Sequence, residues 1–186
     1  MQSNEIDIES SYRLNNLGES LYRAVLEYNP ARVIEFGALY GYSTVHIAKA
    51  LKQIGCGRIM VYDLWEKYSY KHTSIDITRR NLARFGVSDI VTLEQKNFFE
   101  WLEEPEDFDL LHLDISNDGE IIELAYDKLK RFIDRGAVII FEGGTQERDS
   151  VEWMIKFNKR PICPLRDRIN YTIIDRRWPG MSMIKK

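Results

Sequence analysis

Cysteine is nearly absent from this 186-residue chain, and its two copies, Cys56 and Cys163, are too few for a disulfide framework. The expected setting is therefore reducing and cytoplasmic. Glycine and proline number 11 and 5, which excludes collagen-like and low-complexity chains. Long apolar runs are missing too. Stretches such as residues 137–141 are far too short to span a bilayer, and residues 1–12 are polar and acidic rather than a basic-then-apolar leader. There is no repeat and no linker. The apolar fraction of 44% and charged fraction of 30% are those of a soluble globular protein, and the length predicts one domain over residues 1–186. The net charge of −3 argues nothing alone, but residues 148–186 carry 10 basic and 4 acidic side chains, against an acidic excess before them. Such asymmetry marks a solvated edge, a subunit contact or an anionic-partner surface.

What is present alternates. Short β-rich runs fall at 32–36, 58–62, 91–95, 109–113, 137–141 and 171–175. Apolar residues recur at helical spacing over 17–28, 43–54, 74–85, 118–133 and 151–158. Pro30 ends the first helix, Gly86 and Gly136 stop the third and fourth, and Ser43 and Asp118 are placed as N-caps. This alternation predicts an α/β fold, a parallel doubly wound sheet with helices on both faces and residues 1–30 as a leading helical segment. Ligands in such a sheet bind beyond the carboxyl ends of the strands.

The first strand runs into Glu35-Phe36-Gly37-Ala38-Leu39-Tyr40-Gly41-Tyr42-Ser43-Thr44. Its glycines permit a tight turn and close approach of backbone to ligand, and the new helix offers free N–H groups. Gly41 precedes Tyr42 rather than the Lys-Ser/Thr of a Walker A loop, and the second glycine of a dinucleotide fingerprint is missing. Glu35 would repel a pyrophosphate; a ligand carrying a cation fits better. The second strand ends at Asp63, placed to accept from ribose hydroxyls, followed by Leu64-Trp65 as an adenine-lining pair. After the third strand, the Asn97 amide suits an adenine edge with Phe98 packed beside it. The fourth strand ends in His112-Leu113-Asp114, and the fifth in Phe141-Glu142-Gly143-Gly144.

In this order the strand ends resemble the class I S-adenosylmethionine (SAM)-dependent methyltransferases, from about Leu17 to the end of the chain. The resemblance implies a three-layer, Rossmann-like sheet of seven strands, closing in an antiparallel hairpin built from 168–177 and 181–186 around Pro179-Gly180. It implies that Glu35, Gly37, Gly41 and Ser43 hold the methionine part of SAM. Asp63 then binds the ribose, Leu64, Asn97 and Phe98 the adenine, and Asp114 faces the transferred methyl. Within the class the chain is most similar to small O-methyltransferases of the catechol and macrocin type. There Mg²⁺ is held by the fourth-strand acid and an acid after the fifth strand, which implies Asp114 and Glu142 here. The third ligand position falls on Gly143, which has no side chain to coordinate; Asn117 and Asp118 are the neighbours left to compensate.

With Mg²⁺, two adjacent hydroxyls would be held and one acidified. Without it a general base is required. Asp114 and His72 are the catalytic candidates. His72 closes an aromatic and charged loop that reads as a substrate-facing lid or a plain surface loop. His112, between Leu111 and Leu113, reads as a buried, partnered histidine, and His46 lies inside a helix. The function expected is methyl transfer to a hydroxyl, or an amine, of a small molecule. Two alternatives stay open: a nucleic-acid methyltransferase, suggested by the basic region although no RNA-binding motif accompanies it, and a non-catalytic binding protein, suggested by Gly143. No sizeable cap domain is present, so either the site is open or a second copy of the chain closes it as a homodimer. No membrane partner is expected.

Overall fold

The computed structural model describes residues 5–69 and 73–186, and His72 lies outside them. Seven strands appear among the described residues: β1 Arg32–Phe36, β2 Arg58–Asp63, β3 Val91–Gln95, β4 Leu110–Leu113, β5 Val138–Glu142, β6 Tyr171–Asp175 and β7 Met181–Ile184. They form one sheet in the order β3-β2-β1-β4-β5-β7-β6, parallel except for β7, which runs antiparallel to both β5 and β6. Every residue of β4 and β5 is buried, as a central parallel strand covered on both faces requires. The order reverses direction between β1 and β4, and the chain opens a crevice at that switch point.

The helices are α1 Leu17–Tyr28, α2 Tyr42–Ile54, α3 Ile75–Arg84, α4 Phe98–Trp101, α5 Gly119–Ile133, α6 Gln146–Asp149 and α7 Glu152–Lys156. Two cores flank the sheet. On one side Val33, Val61 and Ile140 pack with Val25 of α1, Ile47 of α2 and Leu82 of α3. On the other, Phe36, Leu113 and Phe141 pack with Trp101 of α4 and Leu129 and Phe132 of α5. No helix among the described residues is long and apolar enough to cross a membrane.

Three local expectations change. The N-cap of α2 is Gly41, at φ +91°, and not Ser43, which falls inside the first turn. The glycine adopts a left-handed conformation that a serine would resist, so the helix starts one residue early. The helix expected over 151–158 is shorter and is preceded by α6, whose first turn is capped by the Thr145 side chain accepting from Arg148 N–H. Residues ahead of α1 are also more than a lead-in. Ile6, Ile8 and Tyr12 are buried in the first core, and Asp7 pairs with Arg84 of α3 at 2.8 Å.

Among the described residues, five of the ten basic side chains of residues 148–186 pair with acidic side chains of the same chain. Arg160 and Arg168 both pair with Glu123 of α5, Arg168 also reaches Asp127 at 2.8 Å, and Lys159 lies 2.9 Å from Asp118.

Candidate active site at the strand switch point

A cavity of about 500 Å³ opens at the carboxyl ends of β1, β2, β4 and β5. Seven of the residues expected at the site line it: Gly37, Asp63, Leu64, Asn97, Phe98, Asp114 and Glu142. Glu35, Gly41 and Ser43 do not. Glu35 is fully buried behind the loop, where it accepts from the Thr44 hydroxyl and meets His112 Nδ1 at 2.9 Å. Its strand position points it into the first core, so it braces the loop instead of facing a ligand.

The turn from β1 to α2 is held by close contacts. Gly37 has φ +88°, and a Cβ there would fall 1.8 Å from the Asp114 carbonyl oxygen, so no side chain fits. The Asp63 carboxylate accepts from Ala38 N–H and Leu39 N–H through Oδ2, at 2.8 and 2.9 Å, and from Trp65 N–H through Oδ1 at 2.9 Å. A carboxylate offers about four acceptor positions, so Oδ1 keeps one for a ligand hydroxyl. Trp65 does not line the cavity as an adenine face. Its ring is buried in the first core, and its indole N–H donates to Thr78 Oγ1 at 3.0 Å, behind the loop. Beyond β3, Asn97 caps α4 by accepting from Phe99 N–H at 2.8 Å, and Phe98 packs on Phe36 with ring centroids 5.1 Å apart.

The opposite wall gathers charge. Burial and the neighbouring Glu142 carboxylate push the Asp114 carboxyl up to about 7, against the opposing pull of His112 and Arg148. His112 is fully buried, with Nδ1 against Glu35 and Nε2 3.3 Å from the Tyr12 hydroxyl, so neither ring nitrogen faces the cavity. Burial, together with the carboxylates of Asp114, Glu142 and Glu35, holds the Tyr12 phenol well above its ordinary range. His46 lies between α1 and α2, where burial lowers it to about 4 and keeps it neutral. Arg148, which lines the cavity, and Tyr12, whose buried hydroxyl backs Asp114 and His112, are residues that pattern reading missed. Tyr12 precedes any periodic segment. Arg148 follows two glycines that let the chain fold back on Glu142, and a buried acid with an arginine six positions on was the available signal.

The residues do not fit a divalent cation. Arg148, with a side chain 4% exposed, forks onto Glu142 through Nε and Nη2, the latter at 3.0 Å. Gly143 has φ +107°, and its would-be Cβ meets Ile162 and the Arg148 stem at 3.0 and 3.4 Å. Neither neighbour compensates. The Asn117 amide donates to the Leu113 and Glu142 carbonyls at 2.8 and 3.0 Å, tying β4 to β5. Asp118 caps α5 and pairs with Lys159. Among the described residues no group of three His, Cys, Asp or Glu side chains is arranged to hold a metal. The expected Mg²⁺ pair of Asp114 and Glu142 is thus replaced by a carboxylate–guanidinium pair beside Asp114, which the Tyr12 hydroxyl also reaches.

The sheet order, the glycine turn and the acids at successive strand ends define a Rossmann-like fold of the class I methyltransferase type. A family model described as a methyltransferase domain matches residues 34–142, well over half of the chain, and the chain belongs to that family. No curated protein matches the sequence. Among solved structures the chain is similar to a methyltransferase of Podospora anserina bound to S-adenosylhomocysteine (SAH), with 19% identity, a TM-score of 0.65, and 96% of this chain and 79% of that one covered. It is similar to an O-methyltransferase of Streptomyces achromogenes involved in tomaymycin synthesis, in complex with SAM, with 15% identity, a TM-score of 0.62 and 98% and 83% of the two chains covered. An O-methyltransferase of Bacillus cereus in complex with SAH shares 20% identity, with a TM-score of 0.59 and 97% and 83% covered. These likenesses establish the shared fold.

Proposed function

We propose that this methyltransferase uses SAM to methylate an oxygen of a small molecule. The observation that carries the reading is the convergence of Gly37, Asp63, Asn97 and Asp114 on one cavity at the switch point. Gly37 lets the methionine part lie against backbone. Asp63 takes a ribose hydroxyl on its remaining acceptor position, the Asn97 amide meets the adenine edge, and Leu64 and Phe98 flank the ring. Asp114 faces the sulfonium and the transferred methyl.

In this mechanism the acceptor oxygen attacks the methyl carbon in line. The carbon–sulfur electron pair returns to sulfur, leaving a neutral thioether. An acceptor hydroxyl loses its proton to Asp114, whose carboxyl lies near neutrality and suits a base. Positioning supplies the rest, because a sulfonium is already a good leaving group. The internal pairing of the C-terminal arginines supports a small acceptor over a nucleic acid. The unpaired Cys56 and Cys163 support a reducing, cytoplasmic setting.

Titration calorimetry with SAM tests the reading. Binding is expected, weakened about tenfold or more in Asp63→Ala, the loss of one charge-assisted hydrogen bond. No heat of binding at millimolar SAM would overturn it.

A further inference from the structure

We infer that Tyr12 is the positioning residue of Asp114. Its hydroxyl, delivered by the segment ahead of α1, steadies the Asp114 carboxylate for the sulfonium of SAM, and so ties the docking of residues 5–16 to the charge of the bound cofactor. This rests on the methyltransferase reading and adds to it a part for the first residues of the chain.

This segment enters the cavity wall at two depths. Ser11 lines the cavity itself. Tyr12, fully buried, lies a layer behind, where its hydroxyl reaches the Asp114 carboxyl and comes within 3.3 Å of His112 Nε2. The Tyr12 and His112 rings meet edge to face, with centroids 5.8 Å apart. Asn15 ties the same segment to the opposite rim: its amide donates at 2.8 Å to the carbonyl of Trp178, which also lines the cavity.

The hydrogens follow from the far end of the chain of contacts. Glu35 accepts from the Thr44 hydroxyl on one oxygen and faces His112 Nδ1 at 2.9 Å with the other. A carboxylate only accepts, so Nδ1 carries the proton and Nε2 of the neutral ring is an acceptor. The Tyr12 hydroxyl thus has one proton and two acceptors, and its 3.3 Å approach to His112 is long for an O–H donor. While Asp114 keeps its own proton, it donates to the Tyr12 oxygen and Tyr12 donates onward to Nε2. Once Asp114 ionises, the Tyr12 proton turns to the carboxylate, and a hydrogen bond to an ionised acceptor is roughly twice as strong as a neutral one. Tyr12 therefore favours the ionised Asp114 that a sulfonium calls for. The same bond fastens the segment that carries it, so what a cationic cofactor does for the segment, the segment does for the cofactor.

The test uses the full chain with SAM and SAH, which differ by the methyl group and its positive charge. In Tyr12→Phe, calorimetry is expected to show SAM weakened about tenfold or more, the worth of one hydrogen bond to a charged group, with SAH bound as before. Ile8→Val trims a buried side chain of the same segment and keeps the hydroxyl, so the ratio of SAM to SAH affinity is expected to stay at the parent value. In the parent chain, amide hydrogen exchange over residues 5–16 is expected to be slower with saturating SAM than with saturating SAH, and in Tyr12→Phe that difference is expected to disappear. An equal loss of SAM and SAH in Tyr12→Phe, a ratio that shifts as far in Ile8→Val, or parent-chain exchange slowed alike by both ligands would each overturn the assignment and leave the methyltransferase reading standing. The exchange comparison needs no variant, so it decides the matter even if Tyr12→Phe does not fold. Failure of both ligands to bind the parent chain at millimolar concentration would overturn the assignment and that reading together.

Discussion

At the scale of single residues, three positions set the behaviour of the site. Gly37 is required by contact as well as by its left-handed φ of +88°, since its neighbour is the Asp114 backbone itself. Gly37→Ala is expected to cost at least about 2 kcal/mol and to abolish SAM binding, measured by denaturant titration and calorimetry. Asp63 does two jobs, so Asp63→Ala should lower stability by about 1–3 kcal/mol as well as weaken SAM, because the N–H groups of Ala38, Leu39 and Trp65 lose their acceptor. A purely ligand-facing acid would leave the unfolding midpoint unchanged. Asp114 provides a pH signature. Its raised pKa means that the folded protein holds the proton more tightly than the unfolded chain. This group therefore costs stability as pH rises from the ordinary carboxyl range to about 7. A sulfonium favours the ionised form, so SAM affinity should climb with pH up to about 7 and then level off. Calorimetry at pH 6 in buffers of different ionisation heat should register proton release. The strand-end glycines and acids were legible in the sequence because each follows a strand whose apolar pattern is plain. The direction each side chain takes was not, which is why Glu35 and Trp65 turn out to face the first core.

At the scale of elements, the strands and the long helices follow their hydrophobic spacing closely. β1, β3 and β6 and helix α1 have the extents expected, since burial on known faces leaves little freedom. Helix α7 falls within the helix expected over 151–158 but is shorter. The short helix α6 and the stretch before α1 escaped, because four residues carry no period and residues 5–16 are ordered by what they cover. That stretch brings Tyr12 to His112. Tyr12→Phe removes the partner of a buried ring nitrogen and is expected to cost about 1–2 kcal/mol with the fold intact, read from the thermal midpoint. Asp109 makes a second tie between elements. It accepts from Ala31 N–H and Arg32 N–H at 3.0 and 2.8 Å and pairs with the Arg32 guanidinium, which hold its carboxyl below the ordinary range against the opposing effect of burial. Its stabilisation is present above the ordinary carboxyl pKa and disappears as pH falls through the lowered one. Asp109→Asn should therefore narrow the gap in acid stability between variant and parent below pH 4, about the unperturbed carboxyl value, while the gap persists at pH 7.

At the scale of the whole molecule, part of the charge that looked like a surface for a partner is taken up by ion pairs within the chain, those of Arg160 and Arg168 with α5 among them. The sequence pattern could show the imbalance between the two stretches, but only the fold brings them face to face. RNA is accordingly not expected to shift in a gel at low salt, where counterion release would favour any basic surface; a salt-sensitive shift would revive the nucleic-acid reading. One consequence concerns how the protein is made. Tyr12 leaves the ribosome 100 residues before His112, its buried partner behind the cavity wall. Tyr12 cannot reach its buried partner until β4 has emerged and paired, so part of the first stretch synthesised is among the last to find its place. A nascent chain arrested before β4 should leave this stretch open to protease, and one arrested after β7 should protect it.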